Sequence, residues 1–128
     1  TVPKFELSLD MTRRLLTVVM RGFWDAQVYK DYDEQLTAQL RRVRLLGPPM
    51  SCLVDASEFA IQSKEIADLM REGIAKRLHL YPSRTARLVS CAISRGQAAR
   101  MTSATSHRVF DSREAACEWL LDRTADAA

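Results

Sequence analysis

Phe5, Leu7 and Leu9 alternate with Glu6, Ser8 and Asp10, the period-two pattern of a strand with one wet face, as at the edge of a sheet. After a polar turn through Met11 to Arg14, Leu15 to Met20 run almost unbroken and rich in β-branched residues. Such a run suits a strand covered on both faces. The two are expected to pair as a hairpin. Beyond Gly22 the period changes: Tyr29, Tyr32, Leu36, Leu40 and Val43 fall at steps of three and four, with Asp25 placed as N-cap and Gly47 as the stop before Pro48 and Pro49. This predicts a first helix. Ser51 to Val54 reads as a short buried strand ending in Asp55. Ser63 is placed to cap a second helix, whose apolar stripe is Ile66, Leu69, Met70, Ile74 and Leu78.

Tyr81, Pro82 and Ser83 break that helix, and Ala86 to Ile93 reads as another central strand. Ser94, Arg95, Gly96 and Gln97 have the Ser-x-x-Gln form of a capping box, so a short third helix through Met101 is expected. His107 to Phe110 is a last short strand. Asp111 with Glu114 makes a second capping box, and Ala115, Ala116, Trp119 and Leu120 supply the inner face of a closing helix. The order is β-β-α-β-α-β-α-β-α. An α/β fold follows: a single mixed, mostly parallel sheet with an N-terminal β-hairpin, its parallel strands joined by helical crossovers. Because the central strands have no polar face, helices must cover the sheet.

Composition narrows the class. At 128 residues, 47% apolar and 27% charged, with four Gly and four Pro, the chain is expected to be one globular domain over 1–128 rather than a disordered or fibrous one. No run approaches the ~18 to 20 apolar residues of a membrane span, and the first residues lack the order of a signal peptide. A soluble, cytoplasmic protein is the expectation. Cys52, Cys91 and Cys117 are odd in number and widely spaced, which argues against a disulfide scaffold and against zinc.

The opening hairpin, the Gly22-Phe23-Trp24-Asp25 junction, the strand Cys52-Leu53-Val54-Asp55 running into Ala56-Ser57-Glu58-Phe59, and Val109-Phe110-Asp111 followed by Glu114-Ala115 and Trp119-Leu120 resemble the SpoIIAA-like branch of the STAS superfamily. The likeness spans nearly the whole chain. It implies a small sheet packed with helices and, by analogy with bacterial anti-sigma factor antagonists, a regulator that acts by binding a protein. Members of that family switch partner when a serine is phosphorylated at the start of the helix after the third strand, within Asp-x-Ser followed a few residues later by Asp-Ser-Ser-Gly. Asp55 and Ser57 match the first part. The second part departs: Ser63 stands where the Asp is expected, Lys64 in place of the phosphorylated Ser, and Glu65 and Ile66 in place of Ser-Gly. The regulatory serine therefore does not carry over. Ser63, one position away, suits a phosphate at a helix N-terminus, but an ordinary N-cap is the simpler reading.

In a parallel sheet the natural site lies beyond the carboxyl ends of the strands. Three junctions are expected to meet there: Trp24-Asp25, Asp55-Ala56-Ser57 and Ser94-Arg95-Gly96. Asp55 is either a base for Ser57 or an orderer of its loop through backbone amides. The second is favoured, since no histidine is placed beside the pair and a hydroxyl without a positioned base is a poor nucleophile. His79 and His107 lack partners at ligand spacing, so no metal is expected, and no cofactor is implied. Ser94-Arg95-Gly96 lacks the length and the Lys of a phosphate loop, which makes it a cap with a solvated Arg before an anion site.

Charge is unevenly spread. No acidic residue lies between Glu72 and Asp111, where Lys76, Arg77, Arg84, Arg87, Arg95, Arg100 and Arg108 all fall; the net charge is +3. A basic flank of this kind steers an acidic protein partner or is balanced in a homo-oligomer. Nucleic acid is not favoured, because only Tyr81 is interleaved with the arginines and no helix-turn-helix is present. Tyr29, Tyr32, Met70, Met101 and Trp24 either fill the core or line a pocket for a hydrophobic, lipid-like ligand, as a distant likeness to Sec14-type domains suggests; ordinary helical spacing favours the core. The reading is a non-enzymatic regulatory or scaffold domain binding a protein through Trp24, Asp25, Asp55, Ser57, Ser63, Lys64, Ser94 and Arg95. Its alternative is a small hydrophobic-ligand domain.

Overall fold

The computed structural model describes residues 2–90 and 107–122. In chain order it contains β1 (Phe5–Asp10), β2 (Leu15–Gly22), α1 (Ala26–Leu46), β3 (Ser51–Phe59), α2 (Lys64–Lys76), a 3-10 turn (Leu78–Leu80), β4 (Arg84–Leu88), β5 (Arg108–Phe110) and α3 (Arg113–Leu120). One sheet holds all five strands in their sequence order. β1 runs antiparallel to β2, and β2, β3, β4 and β5 are mutually parallel. This is the single mixed, mostly parallel sheet with an N-terminal hairpin that the order of elements along the sequence predicts.

The unbroken apolar run of β2 has a simple cause, because both faces of the sheet are covered. Leu16, Val18 and Met20 with Cys52 and Val54 pack under Tyr29, Tyr32, Leu36, Leu40 and Val43 of α1 and Ile66 and Met70 of α2. The alternate residues Leu15, Leu53, Ala86 and Leu88 pack on the opposite face under Ala116 and Leu120 of α3. Period two divides one apolar sequence between two cores. β1, an edge strand, keeps the alternating pattern, with Phe5, Leu7 and Leu9 against the first core.

Local signals hold at most helix ends. Asp25 accepts the Val28 N–H at 2.9 Å and Ser63 accepts the Ile66 N–H at 3.2 Å. Gly47 ends α1 with φ +73°, a left-handed conformation that favours glycine, and its N–H returns to Val43 and Arg44 carbonyls. The last helix differs from expectation. Its N-cap is Ser112, not Asp111, with Ser112 Oγ accepting the Ala115 N–H at 3.3 Å. That moves the inner face to Ala116 and Leu120, leaving Ala115 in water and Trp119 half-buried. β3 also continues past Asp55 to Phe59. Residues 91–106, with Ser94, Arg95 and the expected helix through Met101, lie outside the described residues.

Candidate functional site

β3 and β2 part company at Asp55. The ladder matches Val19 with Asp55 and then Arg21 with Glu58, so β3 carries one extra residue at Ala56–Ser57, a β-bulge. A bulge bends the strand and re-aims side chains. Here Asp55 Oδ1 accepts both the Ser57 N–H at 3.0 Å and the Ser57 hydroxyl at 2.6 Å, while Oδ2 pairs with Arg113 Nη1 at 2.6 Å. The row Val19, Asp55, Leu88, Phe110 faces α3, which is why the first residue of α3 can reach it. Asp55 is buried and Arg113 more than half exposed. With three donors on its oxygens, this carboxylate holds the corner of the sheet together and presents the free side of Arg113 to solvent. Ser57 is thus tied to a carboxylate that is already engaged with a guanidinium.

The neighbouring corner is stitched by Gln62. Its Nε2 donates to the carbonyls of Gly22 (2.8 Å) and Ala60 (2.7 Å), its Oε1 accepts the Trp24 N–H (2.8 Å), and the Ala60 N–H donates to the Gly22 carbonyl (3.1 Å). On these joined segments Phe23 and Ile61 stand 57% and 64% exposed. Beside them Arg21 bridges Glu6 at 2.6 Å and Glu58 at 3.0 Å. Trp24, expected at the partner-binding edge, is instead 1% exposed. Its Nε1 donates to the Arg21 carbonyl at 2.8 Å, and its ring meets Tyr32 and Phe59 with centroids 4.9 Å away in each case. A ring this enclosed belongs to the core.

Of the other expected site residues, Asp25 and Ser63 serve as the N-caps described above. Lys64 is exposed and its Nζ lies 3.2 Å from Asp68 one turn on. Ser94 and Arg95 lie outside the described residues. Tyr29, Tyr32 and Met70 fill the first core along with Trp24, so the space between α1 and α2 that a lipid-like ligand would occupy is taken by side chains. The basic flank is also smaller than its sequence suggests: Arg77 is 1% and Arg87 5% exposed. Arg84 and Arg108 stack on Trp119, 4.7 and 5.6 Å from its ring centroid. Cys52 is buried, and burial pushes its thiol up to about 12, an unreactive state.

Sequence reasoning missed three residues of this rim. Arg113 was hidden inside a capping sequence, and its link to Asp55 spans 58 positions. Phe23 and Ile61 carried a signal that can be read, large apolar residues inside otherwise polar junctions. Among the described residues no group of three or more His, Cys, Asp or Glu is placed to hold a metal, and no helix is long and apolar enough to cross a membrane.

No protein-family model and no curated protein matches the chain. Among solved structures it is similar to an uncharacterized protein from the DUF3478 family of Shewanella loihica PV-4, described as having a SpoIIAA-like fold, with a TM-score of 0.65 over 91% of each chain at 18% identity. Five strands in sequence order, an antiparallel first pair, two helices on one face and a closing helix on the other agree with that architecture. The chain therefore has a SpoIIAA-like fold.

Proposed function

We propose that this protein is a non-enzymatic regulatory or scaffold domain that binds an acidic protein partner through the rim at the carboxyl ends of its strands. One observation carries the reading. Phe23 and Ile61, both largely exposed, sit on segments held rigid by the Gln62 hydrogen bonds and beside charged groups. An apolar pair at the centre of a polar, preorganised surface is the usual composition of a protein contact. Arg113 and Lys64 at the same rim supply positive charge for steering. Asp55, with both its oxygens engaged by Ser57 and Arg113, serves to shape the rim.

Affinity capture from extract of the source cells tests this, comparing the wild-type chain with a Phe23→Asp/Ile61→Asp double variant at about 50 and 200 mM salt, a range over which exposed charges become screened. A protein retained by the wild type, weakened by salt and lost from the equally folded double variant is the expected result. Equal retention by both chains, or no retained protein, contradicts the proposal.

The alternative, a small hydrophobic ligand, is favoured by one feature in a different place. An open groove of about 570 Å³, lined by Val43, Pro49, Met50, Leu80, Tyr81 and Pro82 among others, lies where the chain enters β3 and β4. Native mass spectrometry of gently purified protein separates the readings: bound mass that disappears with Met50→Lys supports the ligand.

A further inference from the structure

Arg87 lies near the carboxyl end of β4, between Val54 of β3 and Val109 of β5, and projects into the layer under α1. It is 5% exposed, and among the described residues its Nε and Nη2 have no hydrogen-bond partner. Those two nitrogens form one edge of the guanidinium, the edge that grips two oxygens of a carboxylate or phosphate side by side. Carboxylates nearby are otherwise engaged. Asp33 pairs with Arg77, and Asp55 faces the opposite side of the sheet toward Arg113. The sequence holds no Asp or Glu from residue 73 to residue 110, so no chain neighbour of Arg87 over that stretch can neutralise it.

The surroundings concentrate donors further. Arg77, also buried, lies 5.8 Å from the Tyr32 ring, and the Arg87 charge acts on Tyr32, Cys52 and His107. The Tyr32 hydroxyl is directed at Met20 Sδ at 3.8 Å rather than at an arginine. The Tyr81 ring meets the His107 ring edge-on with centroids 4.4 Å apart, and the same Tyr81 lines the open groove of about 570 Å³. Tyr81 therefore borders both the His107 ring and the open groove. Arg77 has Asp33 beside it, whereas among the described residues no carboxylate is paired with Arg87, and a buried positive charge in low dielectric is costly unless an anion completes it.

We propose that Arg87, with His107 and Tyr81 around it, forms an internal binding site for a small oxyanion, a carboxylate or a phosphate, reached from the Tyr81 groove. The site is separate from the rim and stands whether or not the rim binds a protein. The chain has two histidines, and His79 lies exposed in the 3-10 turn, so imidazole NMR signals report the site with an internal reference.

Inorganic phosphate and, separately, acetate are titrated against chloride of matched ionic strength. The expected result is a saturable shift of the His107 signals, with its pKa raised by at least about one unit because a nearby anion favours the imidazolium, and no such shift at His79. Whichever anion saturates at the lower concentration names the chemistry. Arg87→Lys, which keeps the charge but loses the paired edge, is expected to weaken binding at least about tenfold, and Arg87→Met to abolish it. Should Arg87→Met fail to fold, the lysine variant decides. No saturable shift with either anion, the same titration in Arg87→Lys as in wild type, or parallel drift of both histidines would overturn the proposal.

Discussion

Gly73 shows how much one missing methyl can matter. It sits inside α2, where alanine would ordinarily favour the helix by about 1 kcal/mol. A Cβ there would collide with the Tyr29 hydroxyl and come within 3.0 and 3.1 Å of the Arg77 guanidinium nitrogens. Both neighbours are buried, so neither can retreat into water. Gly73→Ala is expected to destabilise the fold by about 1 to 3 kcal/mol despite its helix propensity, as measured by urea unfolding; a stabilised variant would mean that Tyr29 is free to move. His107 makes a second residue-scale prediction. Burial, with Arg87 adding to it, pushes this imidazole down to about 3 from the ordinary 6.5. The unfolded chain therefore binds a proton below about pH 6.5 that the native protein refuses, and stability falls as the pH drops. The slope contributed by this one group approaches 1.4 kcal/mol per pH unit between about 6.5 and 3. His107→Gln should flatten that part of a stability profile measured by denaturant midpoints, and an unchanged profile would place His107 in contact with water.

At the scale of elements, the first helix and the closing one make a contrast. α1 runs twenty-one residues with Asp25 and Gly47 at its ends, both legible because a cap depends on residues three or four positions away. α3 is eight residues long, and its sequence offers two adjacent caps, Asp111 and Ser112. Which of them serves is decided by where β5 releases the chain. Ser112→Ala is expected to cost about 1 kcal/mol, read as a shift in the unfolding midpoint, and no loss would return the cap to Asp111. Trp119 makes the same point about faces. It lies half-buried against Phe110 with Arg84 and Arg108 stacked on it, whereas Trp24 is enclosed. Trp24→Ala should therefore cost about 3 to 5 kcal/mol and Trp119→Ala distinctly less, a ranking that equilibrium unfolding of the two variants checks directly. β3 belongs here too: its bulge at Ala56–Ser57 leaves no mark in hydrophobic periodicity, because bulges answer to the partner strand.

Across the whole molecule, the charge pattern changes meaning once the chain is folded. Seven basic residues without an acid between Glu72 and Asp111 read as one flank, yet β4 turns successive side chains to opposite faces. Arg87 goes under α1, while Arg84 goes toward Trp119 of α3. Part of the charge thus lies inside, where it asks for a counter-ion, and part lies outside, where it steers partners. The hairpin, the buried central strands, the amphipathic stripes of α1 and α2 and the caps at Asp25, Gly47 and Ser63 were written in the sequence, because each depends on residues within a turn or a strand repeat. The pairing of Asp55 with Arg113, the exposure of Phe23 and Ile61, the enclosure of Trp24 and the burial of Arg77 and Arg87 were decided by the tertiary structure. Those follow from strand order and from which face each helix covers, and such long-range choices bring together residues that no local pattern connects.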